Sequence, residues 1–543
     1  MTKAEGAPSS GTFAAIRENV AAFALIFTAL FVTHSPLLRL PYFWDEAGYF
    51  VPAARDLLLT GSLIPHSTLS NAHPPLLMLW LAFWWKFSAF TPAVTRFAML
   101  LVASFALLGV WRLARRAANS QVAIATVICT ALYPVFFAQS SLAQLDMLAA
   151  AFTIWGIAMY AERRTGAAVA FFALAPLAKE TAHIAPVALM CWELLCPYIR
   201  ITNLQGEPRC IRSGKPVRAF VWLLCALPLA CWLAYHHHVT GYVFGNPEYM
   251  RYNATATLNP LRIVLALLIR LWHLLGYLNL FVLTLGAAYA MFSPPLLERD
   301  GSERPRIAIN AQLVFGVVIL AYLFAFSIVG GAMLARYLLP VYPLVILLCV
   351  STLRRRVRRW TWWVAGACAL FVFSLIVPPP YRVAPEDTLL YRDYVLVHKA
   401  AADELSARFG NKRVLTAWPA SDELTKAYLG YIKQPLNVLP VENFSDLAML
   451  RASHATDQFD VVLLFSTKWE PPHPLLSSLP FGRALHERFF DYHEDMQPQR
   501  AAALLGGRIV DYLNRNNEWI AIVTIEHVEN ASVVSSCSPL PKR

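Results

Sequence analysis

Apolar residues run through most of this chain in blocks of about membrane-spanning length, unlike the alternating or amphipathic patterns of soluble elements. The runs stand at 18–36, 76–90, 93–111, 121–139, 146–161, 166–178, 184–199, 219–235, 272–292, 311–330, 336–351 and 360–378. A helix needs about 20 mostly apolar residues to cross the hydrocarbon core, so the pattern predicts a polytopic α-helical membrane protein. Beyond 380 it changes. Short apolar stretches at 413–417, 459–465 and 519–525 alternate with helical ones such as 422–431. This predicts a soluble α/β domain at 379–543 behind a membrane domain at 1–378.

The basic residues decide which runs cross. Clusters stand at Arg112/Arg115/Arg116, at Arg163/Arg164, from Arg200 through Arg209, Arg212, Lys215 and Arg218, at Arg299/Arg304/Arg306 and at Arg354/Arg355/Arg356/Arg358/Arg359. Basic loops stay cytoplasmic, and all these clusters fall on that side, with the N-terminus, only if 76–90 does not cross. That run contains Lys86 and is rich in Trp80, Phe83, Trp84 and Trp85, as suits an interfacial or re-entrant segment. About eleven spans remain. Residues 37–92 then form one long extracytoplasmic loop with interfacial helices, and 379–543 also lies outside. The run at 20–32 lacks a small-residue cleavage site and reads as an uncleaved anchor.

Composition agrees with a lipid environment, since 57% of the 543 residues are hydrophobic and 15% charged, against roughly 45–50% and 25% in soluble domains. The formal net charge of +12 does not imply nucleic acid, because the basic residues sit in short clusters between apolar runs. Most of the nine cysteines lie in those runs, only Cys537 falls in the polar C-terminal part, and no disulfide framework or zinc spacing is visible.

With the sides assigned, the remaining ionisable residues gather at one membrane edge. Asp45, Glu46 and His73 lie in the first outer loop, Arg96 and Asp146 at the outer starts of spans, Lys179 and Glu180 at an outer end, and Arg336 at another outer start. Ionisable groups at membrane depth pair with one another or line a polar cavity. Singly, Arg96, Lys179 and Arg336 also fit cations snorkelling to headgroups, Glu180 fits an ion-pair partner for Lys179, and Asp146 fits a helix cap. His183 fits a packed helix residue. His236, His237 and His238 are adjacent, and three adjacent helical side chains do not converge on one metal. The loop at 236–262, with Tyr242, Asn246, Tyr249 and Tyr252, is placed to cover the charged cluster.

Phe43-Trp44-Asp45-Glu46-Ala47-Gly48-Tyr49, followed by Asn71-Ala72-His73-Pro74-Pro75-Leu76, resembles the first outer loop of the protein O-mannosyltransferase and aminoarabinose-transferase family. The likeness continues in order through Ala143-Gln144-Leu145-Asp146-Met147-Leu148, Leu177-Ala178-Lys179-Glu180-Thr181 and Ala335-Arg336-Tyr337-Leu338-Leu339-Pro340. It implies the GT-C fold and inverting transfer of a sugar from a polyprenyl-phosphate carrier to an acceptor hydroxyl or amine, without a nucleotide sugar. In that family the aspartate matching Asp45 is the proposed base, and the acidic residue matching Asp146 sits beside the site. The basic residue before the loop prolines helps hold the carrier phosphate. Here that place is His73, where the aminoarabinose transferases usually have lysine.

The residues themselves support the same chemistry. A base, Asp45 first and Glu46 second, serves the attacking acceptor. His73, Arg96, Lys179 and Arg336 supply cations for a leaving phosphate. No cofactor is called for, though the carboxylates leave room for a divalent cation. The partners are then a lipid-linked sugar and a glycolipid, polysaccharide or protein acceptor, in a bacterial inner membrane. A transporter or flippase is the main rival, but it favours midplane charges and paired repeats, and the chain has neither. A non-catalytic scaffold is the second.

Overall fold

The computed structural model describes residues 10–202, 208–210, 216–245, 247–254, 257–472, 480–490 and 492–526. Arg212, Lys215, Asn246 and Cys537 lie outside the described residues. Contacts divide the chain into two compact units, one of residues up to 396 with 468–492, the other of 397–467 with the residues from 493 onward. The expected boundary at 378/379 falls inside the first unit. Glu386, Asp387, Tyr391 and Tyr394 are buried there, Gln139 Nε2 donates to the Glu386 carbonyl at 3.1 Å, and both tyrosines pack on Phe43.

The first unit is helical. Up to residue 376 its helices are α1 Ser10–His34, α2 Val51–Thr60, α3 Leu76–Phe87, α4 Pro92–Ala117, α5 Ser120–Leu132, α6 Pro134–Gln139, α7 Leu145–Ala161, α8 Thr165–Ala178, α9 Ile184–Leu195, α10 Leu227–Thr240, α11 Pro247–Asn253, α12 Pro260–Leu275, α13 Phe281–Ala290, α14 Ile309–Ile328, α15 Tyr342–Arg356 and α16 Trp360–Ile376. Among the described residues, five segments are long and apolar enough to cross a membrane as single helices: Ile16–Leu37, Pro92–Ala117, Arg218–Thr240, Pro260–Asn279 and Ile309–Ile328. The other expected runs form shorter helices whose breaks have local causes. Pro134 lacks an N–H and separates α5 from α6, and the extended backbone of Lys179 ends α8. At 12 residues, α3 extends about 18 Å, well short of the roughly 30 Å hydrocarbon core.

One stretch departs from expectation. The run expected to begin at 272 is helical and apolar from Pro260, and residues 260–262 belong to α12 rather than to a covering loop. Although α12 is long enough to cross, its two ends meet the same layer of the bundle. Arg262 Nη2 donates to the Gly330 carbonyl at 2.8 Å, while Tyr277, just past α12, donates to Asp387 at 2.7 Å. Arg336 and Glu386 join those two regions at 3.4 Å. Left-handed residues Leu278 and Asn279, at φ 49° and 67°, then turn the chain into α13.

Charge pairs sort the bundle ends. Arg112 with Glu162 at 2.7 Å ties the end of α4 to that of α7, and Arg354 with Glu298 at 2.9 Å and Arg355 with Glu303 at 2.6 Å tie the end of α15 to the segment before α14. The opposite ends of these helices carry Arg96, Asp146, Arg336 and Phe326. The bundle therefore has an arginine-rich end and a site end. Burial along α7, where only three of its seventeen residues escape full burial, makes that helix the core around which α4 and α8 pack.

Besides the small hairpin β1 Arg200–Thr202 and β2 Pro208–Cys210, the strands belong to the second unit. They form one five-stranded sheet, β4-β3-β5-β7-β6, from β3 Arg413–Ala417, β4 Asn437–Val441, β5 Val461–Phe465, β6 Gly507–Arg515 and β7 Glu518–Ile525. Strand β3 runs parallel to β4 and β5, and β7 runs antiparallel to β5 and β6. Every residue of β5 is buried, as a central strand covered on both faces requires. The apolar stretches expected at 413–417, 459–465 and 519–525 are β3, β5 and most of β7.

Candidate active site

Arg336 sits at the centre of the charged cluster. It lies in the short helix Ala335–Leu338, which starts after an extended Leu334, and it is almost completely buried. Its Nη2 donates to Asp45 Oδ2 at 2.5 Å, its Nε lies 3.5 Å from Asp146 Oδ2, and its Nη1 reaches Glu386 Oε1 at 3.4 Å and also donates to Gln144 Oε1. A planar guanidinium with five N–H groups is the side chain best able to organise several oxygens. Three chain-distant segments thus converge on one side chain.

Asp45 immediately precedes the wide helical turn Glu46–Phe50. The residue before it, Trp44, has φ 42°, a left-handed conformation costly for a bulky side chain. Packing of Trp44 on Phe43 and Tyr394 holds that turn. The Asp45 side chain keeps 21% of its surface, so it remains open on one side. Asp146 stands in the first turn of α7, where helix N-termini favour anions. Its Oδ1 accepts from Lys179 Nζ at 2.7 Å, and Lys179 Nζ also rests 3.9 Å above the Tyr337 ring. Asp45, Arg336, Asp146 and Lys179 form one continuous chain of alternating charge.

His73 stands at the edge of this cluster. Its Nδ1 lies 3.3 Å from Glu180 Oε2, and its ring meets Phe50 and Tyr249 edge-on. Burial works to raise the Glu180 carboxyl, but His73 and then Lys179 outweigh it and hold it down at about 2. A cavity of about 160 Å³ opens beside these groups, lined by Lys179, Glu180, Tyr249, Asn253, Phe326 and Tyr337 among others.

Glu46 and Arg96 sit apart from the cavity. They form a bidentate pair with 0% and 1% of their side-chain surfaces exposed, including Nη2 to Oε2 at 2.8 Å. Phe43 N at 2.8 Å and Ala143 N donate to the same carboxylate, while Arg96 also donates to the Ser141 and Pro41 carbonyls. These four backbone partners belong to the segments that carry Asp45 and Asp146. Neither side chain is open to a ligand.

Four polar residues of the cluster were missed in the sequence. Glu386 and Asp387 follow the last apolar run within Pro385–Asp387. Burial, first of all, raises both carboxyls; for Asp387 the neighbouring Glu386 adds to it, and its carboxyl stands at about 8. An acidic pair at a membrane edge was the available signal. Arg270 is fully buried inside α12, donates to the carbonyls of Leu334 at 2.5 Å and Ala332 at 3.3 Å, and lies 5.4 Å from the Tyr337 ring centre. A cation within an apolar run marks function by default. Gln144 had no comparable signal. Among the described residues, no three His, Cys, Asp or Glu side chains are grouped to hold a metal ion. His236, taken by itself, bonds Ser70 at 2.7 Å and the Tyr242 carbonyl at 2.7 Å.

No protein-family model and no curated protein matches the sequence. Among solved structures, the chain is similar to ArnT from Cupriavidus metallidurans bound to undecaprenyl phosphate, at 13% identity and a TM-score of 0.50, with 95% of this chain and 98% of that one covered. A second match is the oligosaccharyltransferase of Archaeoglobus fulgidus in complex with zinc and sulfate, at 12% identity and a TM-score of 0.44, covering 82% and 67%. The likeness to ArnT spans nearly the whole of both chains, and the protein has the GT-C fold expected from the motifs at 43–49, 71–76, 143–148, 177–181 and 335–340.

Proposed function

We propose that this protein is an inverting glycosyltransferase that moves a sugar from a polyprenyl-phosphate carrier to an acceptor hydroxyl or amine on the extracytoplasmic face of a bacterial inner membrane. The observation that carries this reading is the charge chain Asp45–Arg336–Asp146–Lys179 beside a cavity. The ArnT structure that shares the fold was determined with undecaprenyl phosphate, and that ligand class suits the cations here.

Asp45 is the base. Arg336 keeps its carboxylate aimed, and the open side of Asp45 receives the acceptor proton as the acceptor attacks the anomeric carbon. General-base catalysis of this kind contributes about 10²–10⁴-fold. The leaving phosphate gains negative charge as the sugar departs, and Lys179, Arg336 and Arg270 are the fixed cations for it, with His73 at the entrance. Because burial raises the carboxyls of Glu386 and Asp387, these two oppose the cations less than two ordinary carboxylates would, which leaves room for a phosphate. Asp146 orients Lys179 and Arg336. Glu46 and Arg96 position the backbone that presents Asp45 and are not ligands. The arginine-rich bundle end is cytoplasmic by the positive-inside rule, which puts the N-terminus inside and the residues after 379 outside.

The test is transfer of radiolabelled sugar by the purified protein in detergent from a panel of polyprenyl-phosphate sugars to glycolipid, polysaccharide and peptide acceptors. Turnover with one donor is expected. No turnover with any donor, combined with movement of lipid or sugar across proteoliposomes, contradicts the reading and favours a transporter.

A further inference from the structure

A second cavity lies at the arginine-rich end of the bundle, where the mechanism has no use for one. It encloses about 780 Å³, within the 300–1,000 Å³ typical of ligand pockets, and it is larger than the space beside Lys179. The distance between the two is set by single helices. Helix α7 carries Asp146 at the site and Tyr160 at this cavity, a separation of about 21 Å along the axis, and α14 runs from Asn310 here to Phe326 there.

The lining has two chemical faces. Arg116, Arg163 and Arg218 stand at its rim, all exposed, and none of their side chains has a hydrogen bond or ion pair within the described residues. Among the described residues, Glu193 is the one carboxylate in the lining, and it accepts from Tyr160 at 2.8 Å. Ile157, Val221, Trp222, Val314 and Phe315 form an apolar wall. Asn310 adds a buried acceptor, its Oδ1 having no hydrogen-bond partner.

The geometry points to a binding site for an anionic phospholipid with a hydroxylated headgroup, its phosphate among the three arginines, a headgroup hydroxyl on Asn310 Oδ1 and an acyl chain along the apolar wall. Charge complementarity and the amphipathic lining select this occupant. A soluble anion leaves the apolar wall unused, and a zwitterionic lipid leaves the rim charge uncompensated.

Full-length protein in nanodiscs, without any sugar donor, is titrated with phosphatidylglycerol and with phosphatidylcholine, and bound lipid is counted by native mass spectrometry. Basic residues near a membrane surface are each worth about fivefold in affinity for anionic lipid, so R116Q/R163Q/R218Q is expected to bind phosphatidylglycerol roughly a hundredfold more weakly. The triple variant R299Q/R306Q/R358Q, which removes arginines from the same end but not from the lining, is expected to bind like wild type. Ala311→Trp fills the apolar side without touching charge and is expected to weaken binding too, which keeps the test intact if the triple arginine variant fails to fold. Equal retention of the two lipids by wild type, equal losses in both triple variants, full binding by Ala311→Trp, or displacement by excess inorganic phosphate overturns the proposal.

Discussion

Arg336 Nη2 and Asp45 Oδ2 lie 2.5 Å apart although 291 positions separate them in the chain. The contact joins the first loop of the helical unit to the segment before α15, and it makes the proposed base dependent on a residue from the other end of that unit. Exchanging guanidinium for ammonium preserves the charge but loses the planar fork that also reaches Gln144, Glu386 and Asp146. Arg336→Lys is expected to lower kcat by about 10²–10³-fold, the usual size for loss of one preorganised electrostatic donor, in the radiolabel transfer assay. Wild-type kcat in this variant removes Arg336 from the reaction.

The sealed pair Glu46–Arg96 makes a different prediction. Breaking a buried ion pair by removing one partner costs about 3–5 kcal/mol, whereas replacing both with apolar residues is often neutral. Glu46→Gln and Arg96→Met are each expected to lower the unfolding temperature in detergent, and E46L/R96M to recover much of the loss. Single variants of undiminished stability, or a double-variant loss equal to the sum of the single losses, mean that the pair is not coupled.

Asp387 gives stability a pH dependence. Burial, with Glu386 beside it, holds its folded carboxyl at about 8, above the ordinary 3.8. The folded state therefore keeps a proton that the unfolded chain has released, and its contribution to stability is full below about pH 4 and lost as pH rises toward and through 8. Unfolding temperatures at pH 6 and pH 9 are expected to differ more for wild type than for Asp387→Asn, which keeps the hydrogen-bonding shape around Tyr277 without the titration. Identical pH slopes in the two proteins contradict the assignment.

Arg270 is a cation that binds carbonyls of the 332–334 turn and stands against Tyr337 near the cavity. Arg270→Met is expected to raise KM for the lipid-linked donor at least about tenfold with a smaller change in KM for the acceptor, which steady-state kinetics with each substrate varied in turn will separate. Equal changes in both constants point to general loosening of the 332–334 turn instead.

Much of this arrangement was legible in the chain because a membrane protein writes its charges sparsely. Asp45, Asp146, Lys179 and Arg336 stand out against apolar neighbours, and their common sidedness brings them together before any coordinates exist. The sequence could not separate Glu46 from Asp45, since adjacent residues in a wide helical turn point different ways, one into the buried Arg96 and the other toward Arg336. Nor could it show that Arg96 is sealed, because an arginine at a helix start looks the same whether it meets a ligand or a carboxylate. Glu386 was hidden for another reason. Pro385–Asp387 follows the last apolar run and reads as the start of the soluble part, yet its backbone is pinned to Gln139 within the helical unit. The α12 stretch misled through its own apolarity, which fits a crossing helix and one lying along the bundle end equally well, so that only its end contacts distinguish them.

The decisive comparison is single-turnover sugar transfer by wild type and by Asp45→Asn, with donor binding measured in parallel on the same preparations. Loss of the base while Arg336 and Lys179 stay in place is expected to slow transfer by at least about 10²-fold and to leave donor affinity within a few-fold of wild type. Transfer at the wild-type rate by Asp45→Asn contradicts the proposed mechanism.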